Sequence, residues 1–160
     1  MSTNGTGAFD LSAFDGLVEA QEAGVDVEIL SPDGKPLGPD GFRIRIAGID
    51  SKRFRSIRRE FINDDIERQS TADLTPEEQD ERQIRTLARC TLSWTTVKLG
   101  GEEIACTESN ARMLYRRFPF IRDQVEMKAG RRSAFMTRSV EPSAERSETS
   151  TTEAESVSQP

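Results

Sequence analysis

Val25-Asp26-Val27-Glu28-Ile29 and Phe42-Arg43-Ile44-Arg45-Ile46 decide the fold class. In each stretch apolar residues alternate with charged ones, the period of a strand with one face buried and one in water. The residues between them include Ser31-Pro32-Asp33-Gly34, a turn in which proline presets the second position and glycine takes the fourth. Lys35 to Gly41 then forms a loop, so the two strands are read as an antiparallel hairpin over 25–49. A lone hairpin is marginal in water and needs an apolar cover.

Working outward, Asp50-Ser51 caps a helix over about 51–67. Its Phe54, Ile57 and Phe61 recur at helical spacing, and Ile62 and Ile66 extend the stripe. This helix is the natural cover for the hairpin. Gln69 to Leu74 is a polar link. Thr75-Pro76-Glu77-Glu78 is a strong start signal, with a threonine cap, proline at the first helical position and Glu78 where a capping-box acid belongs. That helix is predicted over 76–93, with Ile84, Leu87, Ala88 and Leu92 on its apolar face. Val97 to Ile104 reads as a short hairpin turning at Gly100-Gly101. Thr107 caps a further helix over 108–129, which carries Ala111, Leu114, Tyr115 and Phe118 on one face. Pro119 interrupts and restarts it, and Gly130 ends it. Upstream of the hairpin, Phe9 to Ala23 is weakly helical, with Ser12 as its cap and Gly24 as its end.

The pattern describes an α+β protein: an N-terminal β-hairpin packed on a mainly helical domain over 9–135, with a flexible N-terminus over 1–8. From 136 to 160 the chain holds serine, threonine and glutamate with few apolar residues. Such a stretch cannot bury enough surface to offset its ordering entropy, so it is expected to be a disordered acidic tail. The net charge of -6 disfavours a general nucleic-acid binder. No run approaches the roughly 18 apolar residues of a membrane span. Met1 to Gly7 has no basic region or apolar run and is not read as a secretory signal. These features point to the cytoplasm, with Cys90 and Cys106 as reduced thiols.

The residues do not assemble into a catalytic pattern. The chain has no histidine, which removes the commonest general base and metal ligand. Two cysteines alone leave a zinc shell half empty. The carboxylate pairs Asp64-Asp65, Glu77-Glu78 and Glu102-Glu103 lack the alternating oxygens and central glycine of a calcium loop. Gly100-Gly101 lacks the Gly-Lys-Ser/Thr ending of a phosphate loop. We therefore expect no enzyme activity, cofactor or metal. Two candidate surfaces remain. One is the aromatic group of Trp94, Tyr115, Phe118 and Phe120 with Ile121, which either closes the domain core or forms a groove suited to a partner helix. The other is the patch of Lys52, Arg53, Arg55, Arg58 and Arg59, which is either the solvated face of an amphipathic helix or a site for an anionic partner. Glu60, Asp64, Asp65 and Glu67 follow directly and are expected to balance that patch.

Trp94 to Phe135 also carries a pattern as a whole: Trp-x-x-Val, Gly100-Gly101-Glu102, then Thr107-Glu108-x-Asn110-Ala111-x-x-Leu114-Tyr115-x-x-Phe118-Pro119-x-Ile121-Arg122-x-Gln124-Val125. It resembles small tail assembly chaperones of long-tailed bacteriophages and prophages. That resemblance implies binding to the tape measure protein, help in assembling tail tube subunits around it, and work in the bacterial host cytoplasm. Two alternatives stand beside it: a minor tail or head–tail connector component of the virion, and a nucleic-acid-binding regulator that uses the Lys52–Arg59 patch. A homo-oligomer is compatible with each.

Overall fold

A computed structural model of the chain describes residues 7–68 and 73–136. Most of the expected flexible N-terminus, most of the polar link and nearly all of the expected tail lie outside these residues. Two strands form where the alternation places them, β1 (Val25–Ile29) and β2 (Phe42–Ile46). They pair antiparallel with Val27 opposite Ile44 and Ile29 opposite Phe42. Val27, Ile29, Phe42, Ile44 and Ile46 are all buried, while Asp26, Glu28 and Arg43 are exposed. Each fully buried isoleucine contributes on the order of 1.5–3 kcal/mol through removal from water. Between the strands, the Ser31 amide donates to the Lys35 carbonyl and the Ser31 carbonyl accepts from the Gly34 amide, closing the expected turn.

The sheet has a third strand that the helical reading of 76–93 concealed. Helix α3 (Pro76–Cys90) stops short of that reading, and Thr91–Trp94 is a strand, β3, antiparallel to β2. The order is β1-β2-β3, with Ile44 opposite Trp94 and a bulge between Arg45 and Ile46 that leaves Leu92 as the extra residue. Bulging bends a strand, which suits one that leaves a helix without a connecting loop. Helix α2 (Lys52–Glu67) and α3 (Pro76–Cys90) fill the connection from β2 to β3.

The cap signals predict the helix starts well. Ser51 accepts from the Phe54 amide at 3.2 Å. Thr75 and Glu78 form the reciprocal capping box, with Pro76 at the first position. Thr107 caps α4 (Glu108–Arg117). Pro119 separates α4 from α5 (Pro119–Gly130), and a short α6 (Ser133–Met136) follows. Upstream, the weak helix is a 3-10 turn over Leu11–Phe14 and then α1 (Leu17–Ala23). Its cap is Asp10, which accepts from the Ser12 amide, and not Ser12 itself.

The cover of the sheet differs from expectation. Helix α5 packs on β1 and β2, and α3 packs on β3, α4 and α2. Helix α2 lies chiefly against α3, outside this layer. Of its apolar stripe only Ile57 is buried, whereas Ile62 and Ile66 remain 50% and 69% exposed. The stripe is split because Ile62 and Ile66 sit about 80° to 180° around the helix from Phe54, Ile57 and Phe61. No helix among the described residues is long and apolar enough to cross a membrane.

Candidate functional site

At one end of the sheet, a two-stranded ribbon stands off the core. It comprises β4 (Lys98–Leu99) and β5 (Glu102–Glu103). Gly100 and Gly101 join them with φ of 63° and 89°, the pair of positive values a tight type I′ turn requires. Trp94 fixes the ribbon to the sheet: its indole N–H donates to the Ile104 carbonyl at 3.1 Å, and the Ile104 amide donates to Val97 O at 3.0 Å. Trp94 is half-buried, so it positions the ribbon more than it offers a free ring.

A cleft of about 540 Å³ opens between the ribbon, the 37–42 segment and the α4–α5 junction. Its walls include Leu37, Val97, Leu99, Ile104, Phe118 and Phe120, with Phe42, Leu114 and Ile121 at the floor. Pro119 holds the two aromatic walls in place. Phe118 ends α4 and its carbonyl receives the Ile121 and Arg122 amides at the start of α5. The Phe118 and Phe120 rings meet edge to face, 6.3 Å apart, and the Arg117 guanidinium lies 5.6 Å from the Phe118 ring. Among the described residues, Lys98 is the only ionisable side chain in the lining. Such a site can hold apolar side chains against a few polar groups at its rim.

The aromatic group read from sequence is thus only partly brought together. Phe118, Phe120 and Ile121 line the cleft. Tyr115 does not: it is completely buried, and its hydroxyl shares a 2.6 Å hydrogen bond with Thr91 Oγ1. Burial pushes its phenol pKa upward. Tyr115 therefore belongs to the core, a correction to the surface reading. Leu37, Val97, Leu99 and Ile104 were missed. They come from a loop and a short ribbon, and only the glycine pair pointed to that region.

The basic patch is intact as a surface. Lys52, Arg53, Arg55, Arg58 and Arg59 are all exposed along α2. The expected balancing by nearby acids does not occur as read. Glu60 turns to Arg89 at 2.5 Å and Arg85 at 3.8 Å, and Asp65 pairs with Arg82, all on α3. Arg82 holds the Asp65 carboxyl below its usual range through that hydrogen bond. A second cleft of about 500 Å³ lies between α2, α3 and the start of α4. It contains Arg53, Arg89, Cys106 and Glu108, and Arg89 is already compensated by Glu60 and Glu108.

Both thiols are free, Cys90 buried and Cys106 exposed. Burial pushes Cys90 up to about 12, far from a reactive thiolate. Among the described residues no cluster of three or more Cys, Asp and Glu is arranged to hold a metal. No protein-family model matches the chain, and no curated protein or solved structure matches it.

Proposed function

We propose that the protein is a tail assembly chaperone of a long-tailed bacteriophage or prophage, acting without catalysis in the bacterial host cytoplasm. Its partner is the tape measure protein, kept soluble until tail tube subunits assemble around it. The observation that carries this reading is the open apolar cleft between Leu99, Ile104, Phe118 and Phe120. The likeness of Trp94–Phe135 to such chaperones supports it. A tape measure protein is long and helical, and a helix with apolar residues at i, i+3 and i+4 presents the ridge that a cleft of this size accommodates. The charged exterior keeps the loaded complex soluble.

The test is co-expression with the candidate tape measure protein. The partner is expected in the soluble fraction and to co-purify with the wild-type chain. Leu99→Asp and Phe120→Asp, each checked by circular dichroism for an unchanged fold, are expected to abolish co-purification. Undiminished binding by both variants would remove the cleft from the reading. A partner whose solubility does not respond to the wild-type chain would remove the chaperone itself.

A further inference from the structure

The fold leaves a second apolar surface without a partner. Ahead of β1, Phe9 and Leu11 are 70% and 73% exposed, and Phe14 and Val18 are exposed beside them. The Phe9 and Phe14 rings lie 5.8 Å apart. Leu11, Phe14 and Val18 follow at i, i+3 and i+7, the spacing of anchors that a helical segment sets into a groove. Folded chains that stay single rarely leave a contiguous apolar patch open. Asp15 and Glu19 sit next to Phe14 and Val18 in the chain. Neither carboxylate has an ion pair or side-chain hydrogen bond among the described residues.

The cleft between the ribbon and the α4–α5 junction has the opposite charge at its edge. Lys98 is in its lining, and Arg117 lies against the Phe118 ring that walls it. Neither cation has an ion pair among the described residues, although Glu103 stands opposite Lys98 in the ribbon. Their neighbours differ: Arg116 binds Glu81 and Arg122 binds Asp80, both at 2.7 Å. In a chain of net charge -6, cations left open beside an apolar cleft favour a segment that brings carboxylates with its apolar side chains. The two surfaces lie at opposite ends of the sheet. Gln21 pins α1 to Asp50 by two 2.8 Å hydrogen bonds, and α1 leads into β1 where Val25 pairs with Ile46. The cleft lies at the other end, where Phe42 pairs with Ile29. The step from Phe42 to Ile46 spans about 13 Å of strand.

We propose that segment 9–18 of one chain docks into the cleft between Leu99, Ile104, Phe118 and Phe120 of a second copy, with Asp15 and Glu19 set against Lys98 and Arg117. The contact is head to tail, because segment and cleft are different surfaces at opposite ends of the molecule. Contacts of that kind extend into open chains or close into rings. Attraction between exposed charges is weak, so the apolar side chains supply most of the affinity and the charges set the choice of partner. This docking rests on the reading of the cleft as a binding surface, and it gives that surface a regulator. Copies of the chain shield one another's clefts and apolar segments until a client helix takes the segment's place.

The full-length chain is tested by sedimentation equilibrium, in which its mass is expected to grow with concentration. Phe9→Ser/Phe14→Ser, two exposed substitutions that leave the core untouched, is expected to weaken association about tenfold or more, and Leu99→Asp in the cleft to do the same. Mixing those two variants decides the geometry. One keeps its cleft and the other its segment, so the mixture is expected to form one-to-one pairs and nothing larger. Asp15→Lys/Glu19→Lys is expected to weaken association, and Lys98→Glu/Arg117→Glu added to the same chain to restore it. A chain that stays single at every concentration overturns the proposal. So does association that Leu99→Asp leaves intact, which would set segment against segment. Absence of pairing in the mixture, or of rescue by the reversed charges, overturns it as well. These outcomes are separate from co-purification of the tape measure candidate, which Phe9→Ser/Phe14→Ser is expected to retain. A wild-type chain that self-associates but does not co-purify with that candidate would remove the chaperone reading and leave the docking in place.

Discussion

Helices α5 and α2 stand in opposite relation to the core. Helix α5 has twelve residues and buries Ile121, Val125 and Ala129, whereas α2 has sixteen and buries only Ile57. Helix α5 lies on the hairpin and is also tied to its edge by Gln124, whose amide exchanges two 2.9 Å hydrogen bonds with the Leu30 backbone. Helix α2 meets α3 through Glu60 and Asp65, and through Phe61, whose ring lies 5.0 and 5.3 Å from the Arg82 and Arg85 guanidiniums. One helix is held by three buried side chains, the other by Ile57, the half-buried Phe54 and Phe61, and part-exposed ion pairs that are individually weak. The lesson is that a count of apolar residues does not rank helices. Their angular spread around the axis does.

The largest expected effect follows from breaking the stronger of the two. Val125 is completely buried in α5, with no partner for a charge. Val125→Asp is expected to cost more than about 4 kcal/mol and to unfold the chain at room temperature. Retention of a cooperative urea transition near the wild-type midpoint would show that α5 is not the cover of the sheet.

The second effect concerns what fixes the start of α2 in the absence of deep packing. Gln21 is fully buried and exchanges two 2.8 Å hydrogen bonds with Asp50, while its carbonyl receives the Gly48 amide at 3.0 Å. A Cβ on Gly48 would fall within 2.7 Å of the Gln21 side-chain carbonyl carbon. Gly48→Ala is therefore expected to destabilise by about 2 kcal/mol, by displacing Gln21 and stranding its buried amide. A neutral result in thermal unfolding would mean that the clasp yields without loss.

These same elements show how far the sequence could be read. The β1–β2 hairpin, the Ser51, Thr75 and Thr107 caps and the Gly100-Gly101 turn were legible because each depends on neighbours a few residues away. Strand β3 was hidden because Ile84, Ala88 and Leu92 keep a four-residue spacing straight through the helix end. Only pairing with β2, distant in sequence, makes Thr91–Trp94 a strand. The choice of α2 over α5 as cover failed for a related reason, since periodicity names a face but not what it meets. For the candidate site, Phe118, Phe120 and Ile121 were visible around Pro119. The opposite wall was not, because Leu37, Val97 and Leu99 belong to segments too short to show a period. Tyr115 shared a helical face with Phe118, and that spacing does not distinguish core from rim.

A smaller effect sharpens the comparison from the side of α2. Ile57 is its single buried residue, 3% exposed. Ile57→Val is expected to cost about 1 kcal/mol, the usual loss for one buried methylene. A cost several times larger would give the α2–α3 contact the weight now assigned to α5.

Acid should separate the two helices as well. Arg132 first, then Gln21, hold the Asp50 carboxyl below its ordinary 3.8, and Arg82 does the same for Asp65. A carboxyl whose folded-state pKa is depressed contributes stability that is present above its ordinary value and lost as the pH falls through its folded-state value. Both groups anchor α2 and neither touches α5. Amide exchange in α2 is therefore expected to lose protection below about pH 4 while α5 amides keep theirs. Simultaneous loss in both helices would mean that acid acts by global unfolding and not on α2.

The smallest effect is the most discriminating. Ile66 is 69% exposed at the far end of α2, so Ile66→Ser removes little buried surface and is expected to shift stability by less than about 0.5 kcal/mol. Glu67 ends the helix directly after it, which limits any propensity penalty to the last turn. The result bears on the whole of that outer face. If Ile66→Ser costs as much as Ile57→Val, then Ile66 is covered in the full-length chain by something beyond the described residues. A dependence of that cost on salt would connect the cover to the charged end of the same face. Independence from salt would make it an apolar contact, and α2 would then be a two-sided helix with a packed face on each side.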